Sequence, residues 1–165
     1  MRNYWSRFLR RAAAYHDVWW PPNAILLLRI LTVLAVSPLL VRFDLPRLKT
    51  LIEPRRARRA RLDKKTPSTE RVDRIVRYTD GMLASRGPMM RKNCFRRAIT
   101  LYYFLRREGM ELDVCFGVKT PDESVLDGHC WLVRDESPYL EVNDPMSTFT
   151  PVYSFSQITP MQADG

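Results

Sequence analysis

The segment that most constrains the fold is an amphipathic helix predicted from about residue 94 to residue 108, because only strand-like segments follow it. Asn93 stands at the N-cap position, where its side-chain oxygen can accept hydrogen bonds from the first backbone N–H groups. Cys94 opens the first turn, where unpaired N–H groups and the helix dipole favour the thiolate form of a cysteine. Gly109 ends the helix. A cysteine in this position indicates a nucleophile.

Three strands are predicted after this helix from alternating apolar residues, over 112–118, 127–134 and 139–144. The turn of a hairpin is predicted at residues 135–138. The less regular segment 145–165 could give one more strand or a segment that wraps around the domain. This order predicts an α+β fold in which the cysteine-bearing helix packs on a small antiparallel sheet and is preceded by N-terminal helices.

A cysteine nucleophile needs a base, and the base needs an acceptor that orients it. Of the two histidines, His16 lies in the basic N-terminal segment, so His129 is the candidate base, although alone it could equally be a core residue. Alternation along the third predicted strand places Asp144 towards the core and directs Glu141 to solvent. Asp144 is therefore the predicted acceptor, and Asn143 is the alternative if the strand bulges.

The net charge of +9 is concentrated towards the N-terminus. Residues 1–66 are predicted to form a basic and hydrophobic helical region with a linker, and residues 67–165 the catalytic domain. Within the first region, residues 1–20 predict a basic, aromatic and amphipathic helix that could dock on the chain or on a membrane surface. The basic run 55–65 could contact nucleic acid or anionic lipid, but it contains no aromatic residue, so a solvated linker is favoured.

Residues 24–41 are the most hydrophobic part of the chain. The run is slightly short for a membrane span and contains Arg29 and Pro38, so a buried or interfacial helix is favoured over a span. We expect a cytoplasmic protein with possible peripheral membrane contact through residues 1–60. Nucleic acid is not an expected partner.

No metal and no nucleotide cofactor is expected from the motifs. The three cysteines are irregularly spaced and include no C-x-x-C pair, which excludes a disulfide framework and the usual zinc motifs. Neither a phosphate-binding loop nor a dinucleotide-binding turn is present. Cys115 and Cys130 are predicted to be small core residues.

The order of a cysteine on a helix, then a histidine and an acid on strands, resembles that of papain-like and transglutaminase-like enzymes. In detail the chain is similar to the transglutaminase-like leader peptidases of lasso-peptide biosynthesis. The domain of this family is similar to the C-terminal part of the microcin-processing protein McjB. The similarity spans about residues 24–153. The residues that carry it are Asn93 to Ala98, Leu105 to Gly109, Phe116 to Val118, Gly128 to Trp131 and Asn143 to Pro145.

The resemblance implies cysteine-protease-like removal of a leader from a ribosomally made precursor peptide. Cys94 would be the nucleophile, His129 the base and Asp144 the orienting acid. The implied partners are the precursor peptide, a separate leader-recognition protein and a cyclase. Cys130 departs from the alanine that the family usually has after the histidine.

Two other functions stay open from the sequence. The same three residues could pass the acyl group to an amine, as in a transglutaminase-like acyltransferase. Alternatively, the chain could be a non-catalytic, membrane-associated binding module whose working part precedes residue 60.

Overall fold

A computed structural model of the chain describes residues 21–40, 42–53, 67–84, 93–119 and 127–156. Within these ranges four α-helices precede a four-stranded antiparallel sheet, which confirms the predicted α+β fold. The helices are α1 (Pro21–Leu40), α2 (Leu45–Ile52), α3 (Thr69–Ala84) and α4 (Asn93–Arg107). The strands are β1 (Asp113–Val118), β2 (Gly128–Arg134), β3 (Ser137–Tyr139) and β4 (Thr150–Ser154), with a 3₁₀ turn at Pro145–Ser147.

Two predicted elements lie outside the described residues. They are the amphipathic helix over 1–20, which contains His16, and the basic run over 55–65. The domain boundary between residues 66 and 67 stays a prediction.

Helix α4 lies at the centre of the fold and packs on α1, α3, β1 and β2. Its inward side chains recur at helical spacing, and Ala98, Leu101 and Leu105 are at most 3% exposed. Burying each leucine contributes about 1.5–3 kcal/mol, so the helix is firmly anchored. It begins at Asn93, one residue earlier than predicted, and Gly109 adopts φ 94° beyond its end. The side chain of Asn93 is outside the described part of the chain, so its N-cap role stays a prediction.

The sheet has the strand order β3–β2–β1–β4 with antiparallel neighbours. Strands β2 and β3 form the predicted hairpin through Asp135 and Glu136, whose φ angles of 50° and 63° suit a two-residue turn. The additional strand after residue 145 is confirmed as β4, which pairs with β1. Strand β1 pairs with β2 so that Gly117 lies opposite His129.

The third predicted strand, over residues 139–144, is wrong in extent. Strand β3 ends at Tyr139, and Leu140 has φ 62°, a left-handed conformation that turns the chain out of the sheet. Val142, which strand alternation would place on the same side as Asp144 and therefore towards the core, is 99% exposed. Alternation along an extended strand therefore does not apply to residues 141–144.

Helix α1 confirms the predicted helix over residues 24–41 and buries one face against α3 and α4. Arg96 of α4 donates hydrogen bonds to the Ser37 hydroxyl at 3.2 Å and to the Leu34 carbonyl at 2.7 Å. Among the described helices, one segment, Asn23–Leu40, is long and apolar enough to cross a membrane, and 28% of it is buried in the fold.

Candidate active site

Cys94 lies in the first turn of α4, as the sequence predicts. Its thiol is half-buried and is not in a disulfide. A backbone N–H in the first turn has no partner within the helix, so the N–H of Cys94 can donate to a substrate oxygen atom that lies next to the thiol. The helix therefore supplies both a thiol and a hydrogen-bond donor at one point.

His129 lies near the start of β2, with its ring stacked on two aromatic side chains. Its ring centroid is 5.8 Å from that of Trp131 and 5.1 Å from that of Phe149, with interplanar angles of 18° and 27°. Gly117 leaves room for this stack, because a Cβ atom there would lie 2.7 Å from Trp131 Cη2 and 3.1 Å from Phe149 Cβ. The stacked rings restrict the plane of the imidazole, so its two nitrogen atoms point in defined directions.

Glu141 connects the imidazole to an ion-pair network. His129 Nε2 lies 3.4 Å from Glu141 Oε2, and Arg97 Nη1 donates to Glu141 Oε1 at 3.3 Å. Arg97 also donates from Nε and Nη2 to the two oxygens of Asp80, at 2.7 and 3.2 Å. Glu141 is only 19% exposed, so the prediction that it points to solvent is wrong.

Arg97 is a fixed positive charge in this network. Burial alone would lower the pKa of Arg97, but the hydrogen bond and charge of Asp80, together with the charge of Glu141, raise it. The guanidinium therefore remains charged and holds the Glu141 carboxylate against His129.

Asp144, the predicted orienting acid, is exposed and caps the 3₁₀ turn that follows it. Its Oδ1 accepts a hydrogen bond from Met146 N at 2.9 Å, and its carbonyl accepts one from the Ser147 hydroxyl at 2.7 Å. The carboxylate in contact with His129 is that of Glu141. The role of Asp144 as the orienting acid stays a prediction.

A cavity of about 560 Å³ brings the predicted residues together. Cys94, His129 and Asp144 all line it, and so do Glu141 and Asn143. This volume is within the range of pockets that hold small ligands or a few side chains.

The other two cysteines are not suited to nucleophilic chemistry. Burial raises the pKa of Cys130 well above its ordinary value, and the nearby Cys94, Cys115 and Glu141 act in the same direction. Burial also raises the pKa of Cys115, to about 11, with a further contribution from the charge of Asp113. Both are protonated thiols at neutral pH and are at most 5% exposed, in agreement with their predicted core role.

A thiol at a helix start, an imidazole on the same cavity and a carboxylate against that imidazole form the arrangement used for acyl transfer through a thioester. This is the chemistry of cysteine peptidases and thiol acyltransferases. The model of the transglutaminase-like superfamily matches residues 35–154, more than half of the chain. The chain therefore belongs to the transglutaminase-like superfamily, whose members are generally of these two kinds. Searches of curated proteins and of solved structures give no significant match.

The sequence analysis missed the Arg97 network and the aromatic stack on His129. Two signals could have found them. Arg97 follows Cys94 by three residues, so both lie on one side of the helix, where a cation that is partly buried favours an acid nearby. Gly117 interrupts an otherwise bulky strand, which indicates that another group approaches closely at that point.

Proposed function

We propose that this chain is a cysteine peptidase that removes the leader from a ribosomally made precursor peptide in lasso-peptide biosynthesis. The observation that carries the thiol chemistry is a cavity lined by both Cys94 and His129, with Glu141 Oε2 3.4 Å from Nε2 of the imidazole. Superfamily membership supports the reaction class. The resemblance around Cys94 and His129 to leader peptidases supports the substrate class.

Acylation begins when His129 takes the proton of the Cys94 thiol through Nδ1. The sulfur atom forms a bond to the carbonyl carbon of the scissile peptide, and the backbone N–H of Cys94 donates to the developing oxyanion. The carbon–nitrogen bond then breaks, and His129 returns the proton to the leaving amine. The leader remains on Cys94 as a thioester, and the core peptide leaves with a free N-terminal amine.

Deacylation uses the same groups with water as the nucleophile. A water molecule gives a proton to His129 and attacks the thioester carbon, after which the carbon–sulfur bond breaks and Cys94 recovers its proton. The leader is released as a carboxylic acid. In this proposal a separate leader-recognition protein presents the precursor, and a cyclase uses the free amine of the core peptide.

We assign the orientation of His129 to Glu141. A carboxylate at Nε2 holds the tautomer that carries its proton there, which leaves the Nδ1 lone pair for the thiol, and it stabilises the imidazolium that forms. Arg97 and Asp80 support this assignment, because they hold Glu141 in place before substrate binds. Asp144 is the alternative, since it lines the same cavity.

The direct test is cleavage of a precursor peptide encoded beside this gene, with its leader-recognition partner present and the products identified by mass spectrometry. Cys94→Ala and His129→Ala should abolish cleavage while circular dichroism shows an unchanged fold. Cys115→Ala is the matched control, because it removes a thiol away from the cavity lining and should retain cleavage. Cleavage by the Cys94→Ala variant would refute the proposal.

An acyltransferase is the second candidate, because the superfamily contains both kinds of enzyme and both form the same thioester. Cleavage in ¹⁸O-labelled water separates them. A labelled leader acid as the main product supports hydrolysis, whereas an amide formed from an added primary amine in preference to the acid supports acyl transfer. A protein that binds the precursor but forms no product in either assay would favour the non-catalytic binding module.

A further inference from the structure

We propose that one exposed face of α1 docks the protein on an anionic phospholipid bilayer, with the helix lying along the membrane surface. This lipid face comprises five large apolar side chains that are 41–65% exposed: Ile25, Leu28, Leu31, Val36 and Leu39. Helices that lie at a membrane interface combine such an apolar face with nearby basic residues.

The opposite face of α1 is occupied by the protein itself. Ile30, Leu34, Ser37 and Leu40 are at most 6% exposed, and the helix packs against α3 and α4. With 3.6 residues per turn, these positions lie across the helix from the lipid face. A spanning arrangement would expose the buried face and break the hydrogen bonds from Arg96, so the contacts favour a helix that stays on the protein and lies at the interface.

The exposed large apolar side chains are concentrated in one part of the chain. Of the ten large apolar side chains that are exposed among the described residues, seven lie between Ile25 and Leu51. Scattered exposed apolar residues are normal for a soluble protein, but a concentration of this kind indicates a contact surface.

The charge distribution identifies the partner as an anionic membrane. Residues 1–66 contain fifteen of the 27 basic residues but only four of the 18 acidic ones, so this region carries about +11 and the remainder of the chain about −2. Arg29 follows Ile25 by one helical turn beside the lipid face, and its long side chain can reach phosphate groups while its stem stays in an apolar layer. Arg47 on α2 is 78% exposed. Apolar burial and basic charge together match an anionic bilayer, whereas nucleic acid offers no apolar layer for the leucines.

The test is flotation of the full-length protein with phosphatidylcholine vesicles that either contain or lack phosphatidylglycerol. Binding should require the anionic lipid and should weaken as salt is added. The double variant L28Q/L39Q should reduce partitioning by about tenfold or more for each leucine. Val152→Gln on β4 is the matched control, because Val152 is similarly exposed, at 59%, and lies outside the proposed surface.

Any of four outcomes would overturn the proposal. The first is equal binding to both kinds of vesicle, and the second is an equal loss of binding in the control variant. The third is that L28Q/L39Q changes the oligomeric mass of the lipid-free protein without changing its partitioning to vesicles, which would make the face an interface between two copies of the chain. The fourth is vesicle association that resists high salt and alkaline carbonate, which would mean that α1 spans the bilayer. None of these measurements depends on the activity of Cys94, so this proposal and the proposed function fail separately.

Discussion

Glu141→Gln tests the candidate site at its most specific contact. The substitution removes the negative charge 3.4 Å from His129 Nε2 but keeps the size of the side chain. During acylation His129 becomes positively charged, so the interaction is stronger in the transition state than in the bound substrate. A hydrogen bond to a charged group contributes about 1.5–3 kcal/mol, or about 10- to 150-fold in rate. Because the contact is long and the Glu141 side chain is 19% exposed, we expect the rate to fall by about 10- to 50-fold, mainly through kcat.

Asp144→Asn is the matched control, since it makes the same chemical change in the same cavity. An asparagine at this position can still accept the hydrogen bond from Met146 N, so the stability of the turn should change by less than about 1 kcal/mol. We expect kcat to stay within about threefold of the original value if Glu141 orients His129. If Asp144 is the orienting acid, as the sequence predicts, the order of the two variants is reversed.

Two measurements decide whether Glu141 or Asp144 orients His129. The first is steady-state cleavage of the precursor, with kcat and KM determined separately from the amount of leader released. The second is the rate at which iodoacetamide alkylates Cys94 without substrate, which should fall in Glu141→Gln because alkylation, like acylation, is faster when His129 can accept the proton of the thiol and become positively charged. A larger loss in Asp144→Asn, or an unchanged alkylation rate in Glu141→Gln, would show that Glu141 does not orient His129.

Four further predictions concern the thiols and the glycines. Iodoacetamide at neutral pH should modify Cys94 well before the two buried cysteines, as measured by peptide mass spectrometry, and equal rates would contradict a catalytic thiol. Because burial raises the pKa of Cys115 to about 11 from its ordinary 9.0, the native state keeps this proton while the unfolded chain loses it. Cys115 should therefore lower the free energy of unfolding by about 1.4 kcal/mol per pH unit between these values, and Cys115→Ala should reduce the slope by that amount in urea titrations. Gly117→Ala should cost about 1–3 kcal/mol, because its Cβ would lie 2.7 Å from a ring atom of Trp131. Gly81→Ala on α3, which meets nothing within 4 Å, should be neutral or stabilising by up to about 1 kcal/mol in the same denaturation assay.

The features predicted correctly from the sequence are those set by local rules. Helical spacing located α4 and placed Cys94 in its first turn, and alternation located β1 and β2 with His129. The turn at Asp135 and Glu136 followed from the short polar break between two strands. Each of these features depends on residues that are close to one another in the sequence. At that range, periodicity and turn chemistry predict secondary structure well.

The acid could not be chosen from the sequence, because its position depends on one backbone angle and on partners distant in the chain. Leu140 has φ 62°, an uncommon conformation for a leucine, so the residue type at this position does not indicate that the strand ends there. Once the chain leaves the sheet there, strand alternation no longer distinguishes Glu141 from Asp144. The Glu141 side chain is instead held by Arg97, 44 residues away in sequence, and Phe149 reaches the imidazole from beyond the 3₁₀ turn.

The first turn of α4 therefore determines more of the site than the nucleophile alone. Cys94 lines the cavity, Arg96 bonds to α1, and Arg97 joins Asp80 of α3 to Glu141. These contacts hold the start of α4 from different sides. The thiol of Cys94 and the carboxylate of Glu141 are therefore both positioned by one rigid helix. A site arranged in this way before substrate binds requires little reorganisation during the reaction. This is why the loss in Glu141→Gln should appear mainly in kcat, with a smaller change in KM.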